Sequence, residues 1–113
     1  MKVTPYISFN GTCEEAVRFY EAVLGATSEL MRFSDMPSDE NIPISDAWKT
    51  KIMHGSLRLP GGAILFVGDS WENAPVQVGS NATIHLNVGS EDDVHRIVTE
   101  LSKGGEITMP AER

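Results

Sequence analysis

The amino-acid sequence predicts an α+β fold in which one strand–helix segment occurs twice. Both copies contain a strand pattern, a glycine, a hydroxyl side chain, an acidic pair and then an amphipathic helix pattern. The copies align at one constant offset, from Gly11 to Gly89 and from the pair Glu14-Glu15 to the pair Asp92-Asp93. Unrelated helices with similar caps would reproduce part of this pattern. The common order of strand, glycine, cap and acids favours a repeat.

The first copy begins with a strand over Val3–Asn10, which is rich in β-branched and aromatic residues and is closed by Gly11. Thr12 and Glu15 have the spacing of a capping box, which predicts the start of a helix. Gly25 predicts a left-handed helix end. The apolar positions between them recur at helical spacing: Ala16, Val17, Phe19, Tyr20, Val23 and Leu24.

Three further strands are predicted before the second copy. Thr27–Phe33 is the first of them, and a polar loop with two prolines follows from Ser34 to Asp46. Lys51–Leu59 and Ala63–Asp69 are the other two, and they form a hairpin around Pro60-Gly61-Gly62.

A loop from Ser70 to Ser80 leads to the second copy. Its strand is predicted over Ala82–Val88, and Ser90 caps a helix with three carboxylates in its first turn. Gly104-Gly105 end this helix, and Glu106–Met109 begin one more strand. The predicted buried stripe of the helix consists of Val94, Ile97, Val98 and Leu101.

The composition indicates an ordinary soluble domain of 113 residues. Its formal net charge of −7 and the lack of Lys/Arg clusters argue against a nucleic-acid partner. The longest apolar run, Ala63–Val67, is far shorter than the roughly 20 residues of a membrane helix. The single Cys13 suits a reducing compartment, and no apolar run near Met1 resembles a signal peptide. We therefore expect a cytoplasmic protein without a membrane partner.

Short motifs in a fixed order cover essentially the whole chain. The motifs are Pro5-Tyr6-Ile7-Ser8-Phe9-Asn10-Gly11, Glu14-Glu15-Ala16, Phe19-Tyr20, Leu24-Gly25-Ala26, Met53-His54-Gly55-Ser56-Leu57-Arg58, Gly68-Asp69-Ser70, Leu86-Asn87-Val88, Lys103-Gly104-Gly105 and Thr108-Met109-Pro110. As an ordered set they resemble PhnB-like proteins, a branch of the glyoxalase/bleomycin-resistance (vicinal oxygen chelate) superfamily.

The resemblance implies paired βαβββ modules whose curved mixed sheets surround a small-molecule cavity between the modules, usually in a homodimer. It divides one domain, residues 1–113, into module one at 1–70 and module two at 82–113. Module two departs from the family pattern because it ends after βαβ, at Arg113. Either the chain is truncated, or a partner subunit completes the second sheet.

Metal-dependent relatives carry His, Glu or Gln at four strand positions. The resemblance places three of them on Pro5, Leu65 and Thr83, none of which is such a ligand, and the fourth beyond Arg113. We therefore expect the usual metal site to be absent and predict no cofactor. A divalent metal held by His54, Asp69 and His85 is the alternative.

A polar cavity wall is expected from strand alternation. If Gly61 and Gly62 alone close the hairpin, His54 pairs with Asp69, Ser56 with Val67 and Arg58 with Leu65. The expected wall consists of His54, Ser56, Arg58, Asp69, Thr83, His85 and Asn87. Three of these residues also have a structural interpretation: His54 as a hydrogen-bonded residue, Arg58 as a residue that snorkels at a sheet edge, and Asp69 as a loop start or a partner of His54.

Other candidate sites are weaker. Cys13 lies at a helix N-terminus, where a thiolate is favoured, but no sequence feature pairs it with a base. No GxGxxG loop follows a strand, so we do not expect a methyltransferase. Trp48 and Trp71 flank the hairpin and either line the cavity mouth or pack against a partner. His95 lies off the helix stripe and is expected to be solvated.

Three functions are compatible with these patterns. The first is a metal-free protein that binds a small metabolite or drug, with Ile7, Phe9, Leu65 and Val67 beside Arg58, His85 and Asn87. The second is a metal-dependent lyase, isomerase or dioxygenase that uses a relocated site at His54 and His85. The third is an interaction module whose incomplete second half pairs with another chain. Three lost ligand positions favour the first.

Overall fold

A computed structural model describes residues 1–36, 43–79 and 81–107 of the chain. The elements in chain order are β1 (Tyr6–Phe9), α1 (Cys13–Leu24), β2 (Thr27–Arg32), a 3₁₀ helix (Phe33–Asp35), α2 (Asp46–Lys49), β3 (Ile52–Arg58), β4 (Ile64–Asp69) and α3 (Glu91–Leu101). The chain divides into two compact units, Met1–Gln77 and Val78–Arg113. This division lies in the loop that the sequence places between the two modules. None of the described helices is long and apolar enough to cross a membrane.

The first unit contains a four-stranded mixed sheet with the order β1-β4-β3-β2. β1 runs parallel to β4, whereas β2–β3 and β3–β4 are antiparallel pairs. The order β1, α1, β2, β3, β4 is the βαβββ arrangement predicted for module one, with two short helical segments inserted between β2 and β3. The predicted α+β class is confirmed.

Helix α1 packs on one face of this sheet, which we call the core face. Cys13 and Val17 on α1 are fully buried, as are Leu57 on β3 and Val67 on β4. Each fully buried aliphatic side chain of this size contributes about 1.5–3 kcal/mol relative to exposure. Ile7 and Phe9 pack against the same cluster from β1. The burial of one helix stripe and alternate strand residues therefore holds this unit together.

The ends of α1 show one confirmed and one wrong prediction. Gly25 takes the left-handed conformation with φ 70°, and its N–H donates to the Glu21 carbonyl at 3.1 Å, as the glycine stop predicts. The capping box is wrong, since Thr12 makes no side-chain cap hydrogen bond. Asp69 of β4 accepts the hydrogen bond of the Cys13 N–H instead, at 3.0 Å. The cap comes from a residue far away in sequence.

The predicted register of the β3–β4 hairpin is wrong by one residue. Ser56 pairs with Phe66 and Arg58 with Ile64, rather than with Val67 and Leu65. The loop is longer than a two-residue turn, because Leu59 and Ala63 are still paired through a 2.8 Å hydrogen bond. A slip of one residue exchanges the faces of a strand. β4 therefore turns different side chains toward the core than predicted.

The second unit contains α3, which begins 78 residues after α1, at Glu91 against Cys13. Its predicted serine cap is confirmed, because Ser90 Oγ accepts a hydrogen bond from the Asp93 N–H at 3.1 Å. The apolar stripe of α3 is half-buried rather than buried. The strand predicted over Ala82–Val88 is not observed, because residues 82–88 are described but form no hydrogen-bonded strand. The last predicted strand, Glu106–Met109, extends outside the described residues.

Candidate functional site

The face of the sheet opposite α1, which we call the open face, carries the most distinctive side chains. Strand pairing arranges these side chains in three rows about 7 Å apart. The first row consists of Ser8, Gly68, His54 and Met31. The second row consists of Tyr6, Phe66, Ser56 and Glu29. The third row consists of Ile64, Arg58 and Thr27.

Three aromatic rings meet on the open face. The ring centroid of His54 lies 5.0 Å from that of Phe66 and 5.6 Å from that of Tyr6. Tyr6 and Phe66 are in edge contact at 6.3 Å. Tyr6 is half-exposed, whereas His54 and Phe66 are partly buried. Burial raises the pKa of the Tyr6 phenol above its ordinary value of 10.0, so its hydroxyl remains a hydrogen-bond donor at neutral pH.

Gly68 provides the space in which Tyr6 reaches His54. A Cβ atom on Gly68 would lie 2.7 Å from the Tyr6 hydroxyl and 2.9 Å from the Met53 carbonyl oxygen. Gly68 lies on β4, between the strands of the other two residues. The missing side chain therefore allows the Tyr6 ring to extend across β4 toward β3.

Polar side chains lie toward the other end of the open face. Arg58 is exposed at the end of β3, and Ser56 is half-buried two residues before it. Within the part of the chain that the structure describes, no hydrogen bond or ion pair is found for the Arg58 guanidinium. Glu29 is exposed opposite Ser56. The open face therefore has an aromatic end and a charged end.

Asp69 lies on the core face and is not part of this arrangement. Its side chain is buried at 7% exposure. Oδ1 accepts hydrogen bonds from the N–H groups of Gly11 at 2.8 Å and Cys13 at 3.0 Å, and Oδ2 accepts one from Ile52 at 2.9 Å. The predicted pairing of Asp69 with His54 is therefore wrong, since β4 is shifted by one residue. Asp69 links the turn between β1 and α1, the first residue of α1 and the first residue of β3.

A small depression of about 240 Å³ lies at the N-terminus of α1, lined by Gly11, Glu14 and Lys51 among others. The Lys51 ammonium donates to the Gly11 carbonyl at 2.8 Å and lies 5.9 Å from the Trp48 ring centroid. The Trp48 indole donates to the Ser70 carbonyl at 3.0 Å. Lys51 and Trp48 therefore link the segment before β3 to the residues that follow β1 and β4.

The remaining aromatic and cysteine candidates have structural contacts. Trp71 packs on buried Phe33 with a centroid distance of 5.1 Å. Cys13 is fully buried, and burial raises the pKa of its thiol to about 12, with further contributions from the Asp69 and Glu14 carboxylates. The structural interpretation of Cys13 is therefore favoured over a thiolate.

Exposed side chains of α1 and of the last residue of β2 form a cluster of ion pairs. Glu14 bridges Arg32 at 2.6 Å and Arg18 at 3.3 Å, and Arg32 also donates to the Thr50 carbonyl. Arg32 is the main cause that lowers the pKa of the Glu14 carboxyl. The cluster links α1 to the end of β2.

Asp69 and His54, two of the three residues proposed for a relocated metal site, lie on opposite faces of the sheet. Both oxygens of Asp69 are engaged by backbone N–H groups on the core face, whereas His54 lies among the rings of the open face. Of the family positions, Leu65 is buried in the core and Pro5 precedes β1. Within residues 1–36, 43–79 and 81–107, no group of three His, Cys, Asp or Glu side chains is arranged for a metal ion.

The candidates from module two lie in the second compact unit. Thr83, His85 and Asn87 are exposed in the segment 82–88. His95 on α3 is also exposed, as predicted, and its ring lies 3.8 Å from the Glu91 carboxylate. Of the seven predicted wall residues, the structure thus brings His54, Ser56 and Arg58 together on one strand.

Sequence reasoning missed Tyr6, Phe66 and Glu29 as members of the open face. It also assigned Ile7, Phe9, Leu65 and Val67 to the cavity, although all four pack against the core. The length of the hairpin loop was the signal that could have corrected both errors. A three-residue loop, Pro60-Gly61-Gly62, pairs Leu59 with Ala63 and places Phe66 beside Ser56.

The fold is shared with solved structures. The crystal structure of protein PA1353 from Pseudomonas aeruginosa matches with a TM-score of 0.82 and 34% identity, over 97% of this chain and 78% of that one. The PhnB protein from Bacillus cereus matches with a TM-score of 0.74 over 97% of this chain and 80% of its own, and its 23% identity supports the fold alone.

Sequence comparison also finds a relative along most of the chain. Protein YjdN of Escherichia coli (strain K12) is 30% identical over 118 aligned residues, which cover 96% of this chain and 78% of YjdN. No protein-family model matches the chain. The identity and coverage, together with the shared fold, show that the chain belongs to the PhnB-like family that includes YjdN.

Proposed function

We propose that the chain is a binding protein of the glyoxalase/bleomycin-resistance superfamily, which takes up a small metabolite or drug on the open face without the superfamily's usual metal site. The observation that supports this most is the contact of the Tyr6, His54 and Phe66 rings on a face that α1 does not cover. Ligand sites typically combine such apolar surface with a few polar groups. Here the polar groups are Ser56 and Arg58.

The chemistry of the two sheet faces supports the assignment to the open face. The core face is filled by aliphatic side chains and by the α1 stripe. The open face instead exposes Tyr6 at 50% and Met31 at 41% beside polar neighbours. Exposed apolar surface with a polar rim is typical of binding sites. A metal-dependent activity at His54 and His85 has no comparable support, because Asp69, the third residue of that alternative metal site, faces the core.

An NMR screen tests this proposal. Protein labelled with ¹⁵N is titrated with a library of small aromatic and polar metabolites, and binding compounds are expected to shift the backbone signals of β1, β3 and β4. His54→Ala should weaken every such compound, since it removes the central ring of the cluster. His95→Ala is the matched control on α3 and should leave binding unchanged. A broad library in which no compound shifts these signals would overturn the proposal.

The resemblance to PhnB-like proteins also supports a cytoplasmic homodimer. Light scattering on the purified 113-residue chain tests the oligomeric state, and a clean monomer contradicts it. Fractionation of cells that express the chain tests its location. Recovery in the secreted or membrane fraction contradicts a cytoplasmic protein.

A further inference from the structure

The arrangement of the open face also indicates the class of ligand. We infer that the ligand is a flat aromatic molecule with a single carboxylate, bound with its rings on the Tyr6–His54–Phe66 cluster and its carboxylate at Arg58. This inference rests on the proposed function, because it assigns a ligand class to the same face.

The aromatic end selects a flat ring system. Phe66 and Tyr6 contact His54 at centroid distances of 5.0 and 5.6 Å, and the three ring planes are inclined to one another by 38° to 69°. Aromatic pairs prefer offset-stacked or edge-to-face contacts at such distances. A planar aromatic ligand stacks on one of these rings and meets the edges of the others, whereas a compact aliphatic ligand contacts fewer of their atoms. Met31 beside His54 extends this surface with a polarizable side chain.

The charged end selects an anion. The chain carries a formal net charge of −7, which repels anions from most of its surface. Arg58 supplies a local positive charge on the open face, and its planar guanidinium matches the two oxygens of a carboxylate. Strand pairing gives it Thr27 and Ile64 as neighbours, neither of which carries a charge. A ligand carboxylate therefore meets no competing partner in this row.

The spacing along β3 sets the length of the ligand. His54 and Arg58 are four residues apart on one strand, which corresponds to about 13 Å between their Cα atoms. Ser56 lies midway and offers a hydroxyl that donates or accepts a hydrogen bond. The long Arg58 side chain shortens the distance that the ligand must span between the aromatic cluster and the guanidinium. Two linked rings with a terminal carboxylate fit this distance better than a single ring does.

Glu29 restricts the charge of the ligand. It lies opposite Ser56 on β2 and diagonal to Arg58 on β3. A phosphate monoester carries about −1.5 to −2 charges at neutral pH and would be repelled by this carboxylate. A monocarboxylate carries only one negative charge, so Glu29 repels it less than a phosphate while Arg58 still attracts it. The pair of Arg58 and Glu29 therefore favours a monoanion over a dianion.

Three matched probes test the inference: biphenyl-4-carboxylate, the neutral biphenyl-4-carboxamide and biphenyl-4-yl phosphate. We expect the carboxylate to bind about tenfold more tightly than the carboxamide, because it alone forms a charge-assisted bidentate contact. Arg58→Ala should abolish this difference, and Arg58→Lys should retain only part of it. Arg96→Ala removes the same charge from an exposed position on α3 and should preserve the difference. Glu29→Gln should strengthen binding of the phosphate about threefold.

Each outcome separates this inference from the proposed function. If the carboxamide binds as tightly as the carboxylate, the anion assignment is overturned while ligand binding on the open face stands. If none of the three probes shifts open-face signals although other library compounds do, the ligand class is overturned alone. If no compound of any class shifts them, the proposed function falls, and this inference falls with it.

Discussion

The Oδ1 atom of Asp69, the last residue of β4, accepts a hydrogen bond from the backbone N–H of Cys13, the first residue of α1, at 3.0 Å. The same carboxylate also accepts the N–H groups of Gly11 and Ile52. The negative charge of Asp69 is favourable at this helix N-terminus. One buried side chain thus satisfies three backbone donors from three parts of the first unit.

We expect Asp69→Asn to lower the free energy of unfolding by about 3 kcal/mol. The amide has one acceptor oxygen, and its NH₂ group must then face at least one of the N–H groups that the carboxylate now accepts. Urea denaturation measures the change. Asp92→Asn is the matched control in the first turn of α3, where the side chain is exposed, and should cost under about 0.5 kcal/mol. An Asp69→Asn protein as stable as the control would contradict this role.

Gly68→Ala should destabilise the protein by about 1–3 kcal/mol and should displace Tyr6 from His54. The new Cβ would lie 2.9 Å from the Met53 carbonyl oxygen, a backbone atom that cannot easily move. Denaturation measures the stability, and the NMR signals of the two rings report their contact. Gly89→Ala is the control, because a Cβ there meets no atom within 4 Å. Equal stability of the two variants would show that Gly68 is not required.

Cys13 should resist alkylation in the folded protein. A thiol with a pKa of about 12 is almost entirely protonated at pH 8, with about a thousandfold less thiolate than an ordinary cysteine. Its full burial also blocks access of the reagent. Iodoacetamide labelling followed by mass spectrometry should therefore show modification only after denaturant is added. Rapid labelling of the native protein would refute the buried, protonated state.

Glu14 should make the protein less stable in acid. Arg32 and Arg18 lower the pKa of this carboxyl below its ordinary value of 4.5 in the folded state. Its stabilising contribution is therefore complete above that value and is lost as the pH falls through the lowered pKa. Because the cluster is exposed, we expect less than about 1 kcal/mol.

Thermal melts of the Glu14→Gln variant test this expectation. The difference in Tm between the parent protein and this variant should be present at pH 7 and should shrink as the pH falls below 4.5 and through the lowered pKa. Glu15→Gln on the same helix controls for the loss of one negative charge near its N-terminus. A difference in Tm that persists unchanged at low pH would rule out the ion-pair cluster as its cause.

Local patterns predicted the two long helices, α1 and α3, and the four strands of the sheet, but neither α2 nor the 3₁₀ helix. The α1 stripe, the Gly25 stop and the Ser90 cap depend on residues within a few positions of one another, so the sequence displays them directly. The offset of 78 residues between the two copies also agrees with the starts of α1 and α3. The capping box was wrong because the cap of α1 depends on a residue that is distant in sequence. A distant acceptor, Asp69, took the place of the local side chain of Thr12.

The residues that belong to the candidate site depend on one long-range feature, the register of the β3–β4 hairpin. The sequence by itself determined that His54, Ser56 and Arg58 share a strand face, because alternation is a local property of a strand. Which side chains of β4 join them depends on the register of the hairpin, and a slip of one residue exchanges Leu65 for Phe66. Loop closure and packing against α1 select that register. Tertiary structure therefore decided that Asp69 supports the fold and that Tyr6 and Phe66 form the open face with His54.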